Sequence, residues 1–144
     1  MADEKPPVSV GITWQGNELF SGSAGDFVLP IDGNRAGGPS PMQLLALGLA
    51  GCMAIDVAMI IEKGRHPLAG LSARLDGHRS QDGPPVRFVR MDLHYTVTGN
   101  VPREAVERAI QLSRDKYCSV WHSLRQDIAF NVTFDIVAEG APAR

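Results

Sequence analysis

The sequence predicts an α+β protein built around one long apolar helix. Two observations carry this. Segments of period-two alternation come in neighbouring runs instead of in strict turn with helices, the order expected of an antiparallel sheet with segregated helices. Among them lies one stretch, Met42 to Ile61 (MQLLALGLAGCMAIDVAMII), with almost no polar side chains.

Each element is justified by its residues. Val8, Val10, Ile12 and Trp14 alternate with Ser9, Gly11 and Thr13, a half-buried strand. Gln15-Gly16-Asn17-Glu18 is turn chemistry, Leu19-Phe20-Ser21 returns, and residues 26–31 add a short third strand, so a strand hairpin region spans 8–31. After the glycine-rich stretch from Asp32 to Pro39, Ser40 caps, Pro41 takes the first helical position and Gln43 completes an S-x-x-Q box. The core helix is expected over about 41–63, with Gly64 as its left-handed cap. Strands come next at 71–78 and 86–97; in the second, Val89, Met91, Leu93, Tyr95 and Val97 face one way and Arg90, Asp92, His94 and Thr96 the other. A helix over about 103–116 presents Val106, Ala109, Ile110 and Ser113 on one stripe. A short helix over about 119–124 and a final strand at 129–137 complete the pattern, and the tail from Ala138 to Arg144 reads as frayed.

Composition narrows the function classes. The chain has 144 residues, 44% hydrophobic and 21% charged, which predicts a single folded domain, 1–144, and excludes a largely disordered one. A formal net charge of −2 offers no basic surface for nucleic acid or an anionic membrane. Two cysteines, Cys52 and Cys118, are too few for a disulfide scaffold, and the polar start MADEKPPVSV has no apolar signal region, so a cytoplasmic location is expected. The apolar stretch is long enough to span a bilayer, but Asp56 sits inside it, at about 3 kcal/mol near a membrane centre. A helix apolar on all faces also suits a protein interior, between a sheet and other helices or across a subunit interface.

Chemistry gathers around the cysteines. Cys52 lies mid-helix beside the small residues Gly48, Gly51 and Ala54, with Asp56 one turn on and on the same face. A buried carboxylate there needs a partner or a proton. Cys118 sits at a helix start, where the helix end favours thiolate. The plain alternative for both is inert packing, the common fate of free cysteine. Cys118-x3-His122 has no second pair at metal-ligand spacing, so no metal site is expected. The glycine-rich loop matches neither G-x-G-x-x-G nor a P-loop; it reads as an anion-binding helix entry or simply a flexible one.

The stretch GGPSPMQLLALGLAGCMAIDVAMIIEKG, then VTG, then ERAIQLSRDKYCSVWHSL and an alternating last strand, resembles the OsmC/Ohr family across nearly the whole chain. These are the osmotically inducible and organic-hydroperoxide-resistance proteins. The phrases PSPM, AIDV and KYCSV look most like its YhfA-type branch. The resemblance implies an OsmC-like fold, an antiparallel sheet wrapping a buried central helix in an intertwined homodimer. It implies a thiol peroxidase that needs no bound cofactor. Cys52 matches the peroxidatic position and Cys118 the resolving one, with a small-molecule hydroperoxide as substrate and a lipoyl-type dithiol as external reductant.

One departure stands out. Ohr-type members carry a glutamate ten residues before the peroxidatic cysteine, where this chain has Met42, followed by the uncharged Gln43. The arginine that poises the thiolate comes from the N-terminal region, where this chain offers Arg35. Asp56 is the nearest acid, and its charge would oppose a thiolate unless paired or protonated. A diverged, non-catalytic dimer that binds an apolar ligand beside Cys52, near Met42, Gln43 and Asp56, is therefore the alternative reading.

Overall fold

The computed structural model describes residues 4–140, so expectations for residues 141–144 of the tail lie outside the described residues. The chain divides into two compact units, Met1–Leu45 and Ala46–Arg144.

The first unit is a three-stranded antiparallel sheet in the order β1 (Gly11–Trp14), β2 (Leu19–Ala24), β3 (Phe27–Asp32). Gly16 (φ 105°) and Asn17 (φ 50°) turn the chain between β1 and β2, which is why small or amide residues stand there. The loop after β3 is ordered by its own carboxylate. Asp32 is buried and accepts hydrogen bonds from the backbone N–H groups of Asn34 and Gly37, both at 2.9 Å. Those bonds, Gly37 first, hold the Asp32 carboxyl below the usual carboxylate range. The loop's donors thus serve an internal acid, and the expectation of an anion site or a loose entry gives way to a built turn. The sheet buries little: Ile12, Trp14, Phe27 and Val28 all stand exposed.

Helix α1 (Pro41–Lys63) begins in the first unit and continues into the second. Its start is a reciprocal capping box, with the Ser40 N–H donating to Gln43 Oε1 (2.9 Å) and the Gln43 N–H to Ser40 Oγ (3.2 Å). Its end departs from expectation. The left-handed residue is Arg65 (φ 61°), not Gly64. The His66 N–H bonds the Ile61 carbonyl and the Arg65 N–H the Glu62 carbonyl, a Schellman pair closed one residue later than the glycine suggests. A Cβ on Gly64 would lie 3.0 Å from the His66 ring, so the glycine serves close packing.

The second unit holds the core. Its sheet has the order β4 (Leu68–Arg79), β5 (Phe88–Gly99), β6 (Ala129–Val137). Strand β4 starts earlier than the alternation predicts because Leu68 pairs with Gly99 ahead of an irregularity at Gly70. The expected all-antiparallel sheet is corrected: β4 and β5 run antiparallel, but β5 and β6 run parallel. Between β5 and β6 the chain crosses over through α2 (Arg103–Leu112), a π-turn (Ser113–Tyr117) and α3 (Ser119–His122), the long connection a parallel pair requires. The helix expected over about 103–116 is α-helical only to Leu112 and ends in the π-turn, while α3 lies within the short helix expected over about 119–124.

Alternate residues of β5 (Met91, Leu93, Tyr95, Val97) are buried, as is one stripe of α1 (Leu49, Met53, Val57, Ile61). Of the two settings expected for α1, enclosure by a sheet and other helices holds within the single chain for that stripe alone. Leu47 (62%), Ile55 (63%) and Met59 (52%) are exposed on another face, where Gly48 and Gly51 have open space above them. The helix is long and apolar enough to cross a membrane by length and composition, yet its stripe of Leu49, Met53, Val57 and Ile61 lies in this core.

Candidate functional site

Three elements of the second unit bring polar and sulfur groups together in an otherwise apolar interior. Helix α1 supplies Cys52 and, one turn on, Asp56, both half-buried. The π-turn supplies Ser113, and the residue after it is Cys118, both fully buried. Strand β5 supplies Tyr95.

The π-turn sets the second cysteine. The Cys118 N–H reaches back to the Ser113 carbonyl at 2.8 Å, a wide turn that inserts an extra residue before the chain straightens at Cys118. Cys118 then caps α3, its Sγ accepting from the Trp121 N–H at 3.4 Å.

Cys52 and Cys118 are both free thiols, and they lie within electrostatic range of each other. Burial, above all, pushes the Cys118 thiol up to about 11; the Cys52 sulfur and the Asp56 carboxylate add to the rise, against the Trp121 N–H. This corrects the expectation that a helix start would favour thiolate at Cys118: a helix of one turn offers one donor, and burial outweighs it.

Asp56 has the partner its burial requires. The Ser113 hydroxyl donates to Asp56 Oδ2 at 2.7 Å, joining α1 to the π-turn. Ser113 is legible in the sequence only as a polar residue on an apolar helix stripe, a signal that it needs a buried acceptor. Tyr95 is legible only as one of β5's buried positions. Its hydroxyl is nevertheless buried without a hydrogen-bond partner among the described residues.

The remaining expected residues lie in the first unit. Gln43 is committed to the capping box, and Met42 is half-buried beside it. Arg35 sits in left-handed backbone (φ 58°), and its side chain makes no hydrogen bond or ion pair among the described residues. No cluster suited to a metal ion occurs among the described residues. His94, on the polar face of β5, bonds Thr133 Oγ1 (2.7 Å) and Asp135 Oδ2 (3.1 Å) of β6.

The buried thiol carries a pH consequence. From its ordinary value of 9 up to about 11, the unfolded chain loses the Cys118 proton while the folded chain keeps it. The unfolded state then binds fewer protons, so stability falls as pH rises through this window. Burial raises the Tyr95 phenol in the same sense. The thermal midpoint is expected to drop between pH 9 and 11, and Cys118→Ser to drop less steeply; parallel curves would contradict this assignment.

Comparison with known proteins places this arrangement. A family model described as OsmC-like protein matches residues 32–133. Protein YhfA of Escherichia coli (strain K12) is 35% identical over 130 residues, covering 88% of this chain and 96% of that protein. Among solved structures, a hypothetical protein from Aquifex aeolicus superposes with a TM-score of 0.86 at 23% identity, over 94% of this chain and 99% of that one. An organic hydroperoxide resistance protein OsmC from Legionella pneumophila superposes with a TM-score of 0.69 at 14% identity, over 91% of this chain and 99% of that one, a likeness of fold. With the matched region taking in α1, β5 and the Cys118 turn, the chain belongs to the OsmC-like family.

Proposed function

We propose that this protein is a two-cysteine thiol peroxidase acting on organic hydroperoxides. The observation that carries the reading is two free thiols in one site, Cys52 half-buried on α1 and Cys118 buried at the start of α3, within electrostatic range of each other. Those are the attacking and resolving sulfurs the reaction needs. The Cys52 thiolate attacks the distal oxygen of ROOH, giving Cys52–SOH and an alkoxide, which takes a proton from water to leave as ROH. The Cys118 thiol then attacks the Cys52 sulfenic sulfur; the S–S bond forms, and its proton leaves with the hydroxyl as water. Two electrons from an external dithiol of lipoyl type restore both thiols.

The Ser113 hydrogen bond tempers the Asp56 charge beside the sulfurs. Arg35, with its side chain uncommitted among the described residues, is our candidate for the positive charge that poises the thiolate. No carboxylate stands at Met42 or Gln43, so the poising arginine works here without its usual acid. The working form is a homodimer. The open face of α1 (Leu47, Gly51, Ile55, Met59) and the exposed apolar side chains of the first unit's sheet supply the surface that a second copy covers. A cytoplasmic setting keeps both sulfurs reduced between turnovers.

The test is turnover with a lipoyl-type dithiol. Cumene hydroperoxide should be reduced with a kcat/KM at least about tenfold above that for hydrogen peroxide, since apolar surroundings favour the organic substrate. Consumption at the buffer rate for both would overturn the reading.

A further inference from the structure

Strand β5 contributes Met91, Leu93, Tyr95 and Val97 to the core, and all are essentially inaccessible. Phenylalanine would fill the Tyr95 position equally well. The hydroxyl that distinguishes tyrosine is the only buried side-chain polar atom without a partner among the described residues. A buried donor left unsatisfied is rare, because it loses its water and gains nothing in exchange. The groups that act electrostatically on this hydroxyl are Cys118, Asp56 and Cys52. The orphan therefore lies within electrostatic range of the two-sulfur site.

We propose that the Tyr95 hydroxyl is the hydrogen-bond donor to the oxygen that the site handles, first the peroxide oxygen under attack by Cys52 and then the oxygen of the Cys52 sulfenic acid. The inference rests on the peroxidase reading and adds a catalytic residue to it. In the resting state neither sulfur carries oxygen, which accounts for a donor standing without an acceptor. Burial and the neighbouring negative charges keep the phenol protonated, so it remains a donor throughout the working pH range. Its role is donation without net proton transfer. The alkoxide still takes its proton from water, and the sulfenic hydroxyl leaves as water with the Cys118 proton. A preorganised donor that meets charge only as it develops is the arrangement that lowers a barrier.

Tyr95→Phe removes the oxygen and keeps the ring. In single-turnover experiments with cumene hydroperoxide, the second-order rate of thiol loss should fall by about a hundredfold. Two controls separate donation from packing. The thermal midpoint should hold or rise, because an unsatisfied hydroxyl is gone. Alkylation of Cys52 by iodoacetamide, measured in a Cys118→Ser background, should change less than about twofold, because its leaving group is iodide. A Y95F protein that reacts with peroxide at the wild-type rate overturns the inference while leaving the peroxidase reading intact. Equal slowing toward peroxide and iodoacetamide also overturns it, since that marks a disturbed thiolate. Inertness of the wild-type protein toward peroxide overturns the peroxidase reading and this inference together.

Discussion

Replacing Cys52 with serine should reduce peroxide consumption to the buffer rate, while replacing Cys118 should leave the first oxidation in place and block formation of the disulfide. The asymmetry comes from where each sulfur sits. Cys52 is half-buried on α1. Cys118 is fully buried and, with its thiol pushed up to about 11, holds its proton at neutral pH. Attack on a peroxide needs the thiolate and an approach for the substrate, so with Cys118 buried and protonated the first attack falls to Cys52. In Cys118→Ser, one equivalent of peroxide per chain should be consumed and the sulfenic acid should persist long enough for capture by a dione reagent. Steady-state turnover with dithiol should fall by at least about tenfold, because the reductant must then reach the Cys52 sulfenic acid directly. Equal loss of the first oxidation in both variants would remove the distinction between attacking and resolving sulfur.

The largest effect on stability is expected at Gly99. This residue closes β5 with φ 126°, and a Cβ there would lie 2.3 Å from the Pro67 carbonyl oxygen and 3.1 Å from the Ala69 nitrogen. Both obstacles are backbone atoms where β4 begins its pairing with β5, so no side chain can swing aside. Gly99→Ala adds left-handed strain to this clash and should cost at least about 3 kcal/mol, read as a shift in denaturant midpoint at constant slope. Gly16→Ala is the comparison. Its φ of 105° is also unfavourable, but nothing lies within 4 Å, so about 1 kcal/mol is expected. Similar losses in the two variants would mean that the close approach of β4 to Gly99 does not matter.

The features legible in the sequence are local ones. The S-x-x-Q box and Pro41 mark the start of α1, and the capping bonds form between those residues. The final alternating run coincides with β6, Ala129–Val137, because a strand with one buried face shows period two whichever way its neighbour runs. For the same reason alternation is silent on direction, and the parallel pairing of β5 with β6 comes from the path of the crossover. The end of α1 closes one residue beyond where the sequence points, because glycine is the usual left-handed residue, whereas here Arg65 takes that conformation and Gly64 answers a packing need.

The site divides along similar lines. Both cysteines and Asp56 stand out in the sequence because polar and sulfur groups interrupt an apolar run. Their partners do not. Ser113 reaches Asp56 across 57 residues of chain, and Tyr95 comes within electrostatic range of the sulfurs only through the fold. The rise at Cys118 is hidden from the sequence because a helix start is a local signal, while burial is supplied by residues remote along the chain.

The most direct test of the two-sulfur account is to treat the reduced wild-type protein with one equivalent of cumene hydroperoxide, count free thiols, and map the product by mass spectrometry. The account predicts loss of both thiols per chain and a Cys52–Cys118 disulfide within one chain. Retention of both thiols, or oxidation of Cys52 with Cys118 left free, would contradict it.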